Sequence, residues 1–321
     1  MSKIKIGIAG NNDSVNVFLN QINSQPAYEF VGVFDSTNPD NYKSFYGLEP
    51  FNDFLKRTDA VIFAGNHHLN LFDNMMECIK YGKNIMVEKF NGIEYYDLIR
   101  LQKMLKEAGS YLYFANITGT QSAYTTFRQL VNKPVNLSAQ VHIPYVNTLS
   151  PADKNNLLAE TVDLILRSVN SPVAKIKVNK HFIFHQQPDE VKIHLLFDNG
   201  CVADVVFNLF GKNAINTISA YQKGKIVNAD LANYKVEETR LDMKMENQLQ
   251  LYSDYNSNVT ITNKMEVFEK KIMYFDAIQK DLLNFVDCIT NHVSPLVGIE
   301  EAINVAGVLQ QIQYTQHESF V

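Results

Sequence analysis

Glu88 and Lys89 stand side by side where a short apolar run, Ile85-Met86-Val87, ends. Such a run is expected of a strand buried on both faces. A lysine fixed by a rigid sheet and partly desolvated can give or take a proton. A solvated Glu-Lys pair at a strand exit is the plainer reading of the same residues. Further along, Asn156, Glu160, Asp163 and Arg167 recur at i, i+4, i+7 and i+11. That spacing puts both carboxylates on one helical face. The face is either solvated, with an ordinary Asp163–Arg167 bridge, or turned toward Lys89.

A third group is Gly10-Asn11-Asn12-Asp13-Ser14, with Asp35 twenty-five residues beyond Gly10. A glycine turn into a helix, and an acid after the next strand, is the order of a dinucleotide-binding unit. The helix start would face the pyrophosphate and the acid the ribose hydroxyls. Of three expected glycines only Gly10 stands; Asn12 tolerates a left-handed backbone and can stand in for the second. Asp13 competes with a pyrophosphate for the helix dipole, or else Asp13 or Ser14 caps the helix.

The elements that must carry these groups read as follows. Ile4, Ile6 and Ile8 form a first strand; Val15, Phe18, Leu19 and Ile22 mark a helix; Phe30 to Phe34 is a second strand. Ala60 to Ala64 is a third strand, broken by Gly65-Asn66-His67-His68. Phe72, Met75, Met76 and Ile79 then fall at helical spacing, and Gly82 suits a helix end. A helix from about Glu94 to Ala108 and a strand from Tyr111 to Phe114, ending near Asn116, follow. Gly10, Asp35, Gly65, Lys89 and Asn116 thus all follow strands, and in a parallel sheet they converge on one edge. The His67-His68 pair has no metal-ligand spacing, so no metal is expected.

From about residue 119 alternation takes over. Leu137 to Ile143, His142 among them, is a half-exposed strand; Leu158, Val162, Ile165 and Val169 are the apolar stripe of a helix from about Asp153. Val191 to Phe197 and Cys201 to Leu209 flank Asn199-Gly200, a hairpin signal. Further strands are expected near Ala214 to Tyr221 and Leu249 to Ile261. His181, His185 and His194 fall in strands with no evident carboxylate partner. Two amphipathic helices close the chain.

With 321 residues, 46% of them hydrophobic, the chain can bury a large core, in two domains. A net charge of −5 argues against a nucleic-acid or anionic-membrane partner. Neither a membrane span nor a signal peptide is evident. Cys78, Cys201 and Cys288 read as reduced core thiols of a cytoplasmic protein.

The whole order resembles the Gfo/Idh/MocA family of NAD(P)-dependent oxidoreductases. Asp59 to Ala64 resembles its third Rossmann strand, and Tyr81 to Phe90 the run ending in its Glu-Lys-Pro motif. Leu157 to Pro172 resembles its helix with a His-x-x-Asp pair; Asp281 to Leu296 and Ala302 to Thr315 resemble its closing helices. Lys89 and Asp163 are kept. Phe90 replaces the motif's proline, Asn70 a loop histidine, and Glu160 the catalytic histidine.

The resemblance implies an α/β fold, with a Rossmann dinucleotide-binding domain over 1–118. An α+β domain over 119–321 would follow, with a large, mainly antiparallel sheet that makes a homodimer or dimer of dimers. It implies hydride transfer between a nicotinamide and a sugar-like or polyol substrate. Lys89, Asp163 and Glu160 would be catalytic. Gly10, Asn11, Asn12, Asp35, Gly65, Asn66, Asn70, Glu88 and Lys89 would face the cofactor. Lys89, Asn116, His142, Asn156 and Asp163 would face the substrate. Asp35 favours NAD, since a carboxylate repels a 2′-phosphate, while Ser36, Thr37 and Lys43 leave NADP open. The departures also admit a non-catalytic nucleotide- or sugar-binding relative. NAD-dependent glycoside cleavage is a further alternative.

Overall fold

The computed structural model describes residues 3–10, 12–34, 51–65, 71–90, 93–144, 149–184, 188–240 and 277–314. In chain order they form β1 (Ile4–Gly10), α1 (Asn12–Asn23), β2 (Tyr28–Phe34), α2 (Phe51–Lys56), β3 (Ala60–Ala64), α3 (Leu71–Lys80) and β4 (Asn84–Val87). Next are α4 (Tyr95–Ala108), β5 (Leu112–Phe114), α5 (Ile117–Thr120), α6 (Ser122–Leu130), β6 (Asn136–Pro144) and α7 (Pro151–Val169). Six strands follow: β7 (Val173–His181), β8 (Glu190–Phe197), β9 (Val202–Gly211), β10 (Ile215–Gln222), β11 (Lys225–Asp230) and β12 (Lys235–Arg240). Helices α8 (Ala277–Asn291) and α9 (Ile299–Tyr314) end the described chain. The expected strand at 249–261 lies outside the described residues.

Contacts divide the chain into two compact units. One holds 1–120, 148–163 and 275–314; the other holds 121–147, 164–274 and 315–321. Chain order alone suggested one cut near 118. The contacts return two later stretches to the first unit, because the start of α7 and both C-terminal helices pack there.

The first unit is built on a sheet of order β2-β1-β3-β4-β5, in which every pairing is parallel. Its central strands are apolar throughout because both faces are covered. Alternate residues serve opposite faces. Val61, Phe63, Ile85 and Val87 join Met75, Leu98, Leu101, Val297 and Ala302 on one side. Ile6, Ile8, Ile62 and Met86 join Phe18, Ile22, Leu282 and Phe285 on the other. Each such large side chain, fully buried, contributes roughly 1.5–3 kcal/mol. On α4, Leu98, Leu101 and Leu105 are buried, while Ala108 in the last turn is exposed. The helix ends at Gly109, whose φ of 65° and N–H to Leu105 O make a left-handed cap.

The second unit carries a seven-stranded sheet, β12-β11-β10-β6-β9-β8-β7. Its pairings are antiparallel except β6 with β9. The β8–β9 hairpin turns at Asn199-Gly200, where Gly200 has a φ of 82° and Asn199 Oδ1 accepts the Cys201 N–H. Val191, Ile193, Leu195 and Phe197 face inward, opposite Ala203, Val205 and Phe207. Two histidines differ from the expectation. His194 Nδ1 lies 2.8 Å from Asp204 Oδ1, and His181 Nε2 lies 3.7 Å from Glu190 Oε2. Both carboxylates come from the neighbouring strand, a pairing set by register and hidden from local spacing. His185 lies outside the described residues.

Candidate active site at the carboxyl edge of the parallel sheet

Because the first sheet is parallel, its strands deliver Gly10, Gly65, Glu88-Lys89 and Asn116 to one edge, as expected. The chain reverses direction across the sheet at β1, which has β2 on one side and β3 on the other. Ligands of open α/β sheets bind at such a switch point. The two strand ends nearly touch there: a Cβ on Gly10 would lie 2.2 Å from the Ala64 carbonyl oxygen. Gly10 is therefore required by the sheet itself.

Glu88 is buried at the same place. One carboxylate oxygen accepts the Gly65 N–H, and the other accepts the Ser14 hydroxyl at 3.3 Å. Glu88 thus ties the exit of β3 to the first turn of α1.

The next two residues are gripped by α7. Lys89 Nζ donates to Asp153 Oδ1 at 2.8 Å, and the Phe90 N–H donates to Asn156 Oδ1 at 2.7 Å. Ser150 caps the helix: its Oγ accepts the Asp153 N–H at 3.1 Å and donates to Asp153 Oδ2 at 2.7 Å. Asn156 Nδ2 reaches one oxygen of Glu160 at 2.9 Å, and the Thr118 hydroxyl reaches the other at 2.7 Å. Asp163, only 4% exposed, accepts from Asn116 Nδ2. Asn116 Oδ1 accepts the Gly119 N–H at 2.7 Å, so this asparagine ties the α5 turn to α7.

The polar stripe of α7 is therefore not a solvated face within the first unit. Burial was the missing information, because a helix turned inward onto polar partners has the same spacing as one turned outward. Asp163 is held by Asn116, while the Arg167 guanidinium lies 5.2 Å above the Tyr124 ring in the second unit.

Electrostatics single out Glu160. Burial pushes its carboxyl above the usual range, and nearby Asp163 adds to this. The Thr118 and Asn156 hydrogen bonds and the Lys89 charge pull the other way. The residue as a whole keeps some exposure, but its carboxyl group is enclosed by these neighbours. Lys89 was expected to face the Glu160 and Asp163 side of α7; it lies near enough to act on Glu160, but its ion pair is with Asp153.

Behind Asn116 a second polar cluster fixes the floor of the edge. Asp281, fully buried, accepts from Tyr113 Oη at 2.6 Å and Thr120 Oγ1 at 3.3 Å. Lys280 Nζ donates to the Thr120 carbonyl at 3.0 Å, and burial lowers its pKa against the pull of Asp281.

Of the residues singled out by sequence, Gly10, Gly65, Glu88, Lys89, Asn116, Asn156, Glu160 and Asp163 share this edge and network. His142 lies on β6 in the second unit, paired across to Ile215 and Asn208. Asn11, Asp35, Asn66 and Asn70 lie outside the described residues, as does the side chain of Asn12. Sequence reasoning missed Asp153, Thr118 and Asp281, and it gave Ser14 only a capping role where the structure has its hydroxyl donate to Glu88. Ser150-Pro151-Ala152-Asp153 is a helix-start signature that could have found Asp153, since it extends the 156–160–163 stripe by one turn. No comparable signal marks Thr118 or Asp281.

The edge suits a dinucleotide. One residue separates β1 from α1, so the helix N-terminus, a source of free N–H donors, sits at the switch point.

The sequence matches no protein-family model and no curated protein. Solved structures match over nearly the whole chain. One is UDP-N-acetylglucosamine 3-dehydrogenase GnnA from Acidithiobacillus ferrooxidans, with a TM-score of 0.82, 15% identity, and 97% of each chain covered. The dehydrogenase MviM from Clostridium difficile follows at 0.78 and 14%, covering 97% of this chain and 98% of its own. Aldose-aldose oxidoreductase from Caulobacter crescentus, complexed with glycerol, gives 0.76 and 13%, with 97% and 96% covered. At these identities the likeness establishes the fold alone, a parallel α/β unit together with a unit built on a mostly antiparallel sheet.

Proposed function

We propose that the chain is an oxidoreductase moving hydride between a nicotinamide cofactor, NAD in preference to NADP, and a sugar-like or polyol substrate. The observation that carries this reading is the network at the carboxyl edge of the parallel sheet. It joins an amine, Lys89, to a carboxyl of raised proton affinity, Glu160, through the first turns of α7. The likeness over nearly the whole chain to a dehydrogenase named for a UDP-sugar and an oxidoreductase named for aldoses supports the substrate class.

The nicotinamide, when bound, supplies or accepts the hydride. The chain's own residues do the rest. The N-terminal N–H groups of α1 would hold the pyrophosphate, with Asp35 on the ribose. Lys89, anchored by Asp153, gives its proton to the carbonyl oxygen of the substrate, or takes one from the hydroxyl in the reverse direction. Asp163, oriented by Asn116, positions substrate hydroxyls. Glu160 exchanges the proton with Lys89 or solvent. Buried free thiols at Cys78, Cys201 and Cys288 suit a reducing, cytoplasmic compartment. Among the described residues no helix is long and apolar enough to cross a membrane.

Calorimetric titration with NAD(H) and NADP(H), followed by a polyol and sugar screen read by reduced-nicotinamide absorbance, tests the proposal. Tighter NAD(H) binding and turnover with a polyhydroxylated compound are expected. No binding of either cofactor at millimolar concentration would instead favour a non-catalytic relative.

A further inference from the structure

The amide of Asn156 is used at both ends. Its oxygen accepts the Phe90 N–H and its nitrogen donates to Glu160. The first bond settles which way the amide faces, and so guarantees that Glu160 meets a donor. Residue 90 must then carry an N–H, which a proline lacks. The other Glu160 oxygen is met by Thr118, a buried side chain at the end of the parallel sheet.

We propose that Thr118 and Asn156 are positioning residues, a pair of fixed donors that orient the Glu160 carboxyl and set the pH at which it exchanges its proton. Asn156 on this view serves Glu160 and not the substrate. The inference rests on the oxidoreductase reading for its functional meaning, though the donor pair itself can be measured without it. The groups that act on Glu160 are Thr118 from α5, Lys89 from the exit of β4, and Asn156 and Asp163 on α7 itself. Asp153, on the same face of α7, is paired with Lys89.

Opposed effects act on the Glu160 carboxyl, and burial is the largest of them. Burial and Asp163 favour the protonated carboxyl; the two donors and Lys89 favour the carboxylate. Removing one donor leaves the first pair less opposed, so proton affinity rises. A hydrogen bond to a charged group corresponds to about one pH unit or more.

Thr118→Val removes the hydroxyl at nearly constant volume, and Thr118→Ser restores it. In the purified full chain, the limb of the kcat/KM profile that reports Glu160 should move up by about one pH unit in Thr118→Val. It should return toward the wild-type position in Thr118→Ser. Asn156→Asp, which sets an acceptor against Glu160, should move it further. A structural role alone would lower activity at every pH without displacing the limb, and a Thr118→Val profile superimposable on wild type overturns the proposal.

A second readout does not need turnover. A carboxyl with raised pKa in the folded state holds a proton that the unfolded chain has released, so stability falls as pH rises above the ordinary Glu range. Wild type should therefore lose thermal stability relative to Glu160→Gln over that interval. Thr118→Val should lose more, and over a wider interval. Equal losses in wild type and Thr118→Val overturn the donor pair. The expected losses, found in a protein that shows no nicotinamide-linked turnover, support the donor pair and overturn the oxidoreductase reading alone.

Discussion

Lys89 Nζ and Asp153 Oδ1 lie 2.8 Å apart, joining the exit of β4 to the third residue of α7. The side chains are 25% and 32% exposed, so solvent screens the pair and its net contribution to stability is small, about 0–1 kcal/mol. Its value is geometric. A flexible lysine at a strand end is held in one place by an acid that is itself fixed by the Ser150 hydroxyl.

Asp153→Asn should therefore change the urea midpoint little, by no more than about 1 kcal/mol in stability. Turnover should fall by about 10- to 100-fold, because the amine is no longer held. The loss should appear in kcat and not in cofactor affinity. Full activity in this variant would show that Lys89 is positioned by something else.

Lys89→Met removes the proton donor and should cost about 10²–10⁴ in rate, leaving NAD(H) affinity within a few-fold by calorimetry. Glu160→Gln should be as damaging if the carboxyl relays the proton, and clearly milder if it only fills space beside Thr118. Equal activity in wild type and Lys89→Met would remove the mechanism.

Gly10→Ala separates a structural from a ligand-binding role for the turn glycine. The new methyl would meet the Ala64 carbonyl 2.2 Å away, a clash with backbone that no rotamer relieves. Destabilisation of about 1–3 kcal/mol or more is expected in the cofactor-free protein. A variant as stable as wild type but impaired in cofactor binding would assign the glycine to the ligand instead.

The parallel half of the fold was legible because its signals are local. Ala60 to Ala64 and Ile85 to Val87 are apolar without interruption, and Gly82 and Gly109 sit at helix ends. The convergence of Gly10, Gly65, Lys89 and Asn116 followed from strand order. What sequence could not supply was direction and register. The α7 stripe reads the same whether it faces water or Asn116 and Thr118. His194 meets Asp204 through a hairpin register that spacing within one strand does not reveal. Asp281 looks like any acid on an amphipathic helix until β5 and α5 are packed against it.

Two acids make predictions about cofactor binding. Asp35 should make NAD(H) bind more tightly than NADP(H), and calorimetry showing the reverse would dismiss that argument. Asp13 is the second residue of α1, and a carboxylate at that sequence position would oppose a pyrophosphate bound at the helix start. Asp13→Gly should tighten NAD(H) by about two- to fivefold, corresponding to 0.3–1 kcal/mol for a charge at a helix end. Unchanged affinity would mean that the carboxylate serves the helix and leaves the ligand alone.

The cluster behind Asn116 makes a prediction about stability rather than chemistry. Asp281 is fully buried and takes hydrogen bonds from Tyr113 and Thr120. The one Thr120 hydroxyl proton is shared between Asp281 and the Asn116 carbonyl, which lies 3.1 Å away, so the turn that presents Asn116 to Asp163 is braced from below by α8. Tyr113→Phe deletes a hydroxyl and leaves a buried carboxylate short of a donor, at a cost of about 1–3 kcal/mol. Thr120→Val should cost less, since its hydroxyl bond to Asp281 is the longer of the two. Urea unfolding of the full chain orders the two variants. If the turn below Asn116 also yields, the pH limb assigned to Glu160 should broaden or shift in Tyr113→Phe, because Thr118 lies in the same turn. A Tyr113→Phe protein with wild-type stability would show that Asp281 is satisfied without the tyrosine and that α8 does not brace the site.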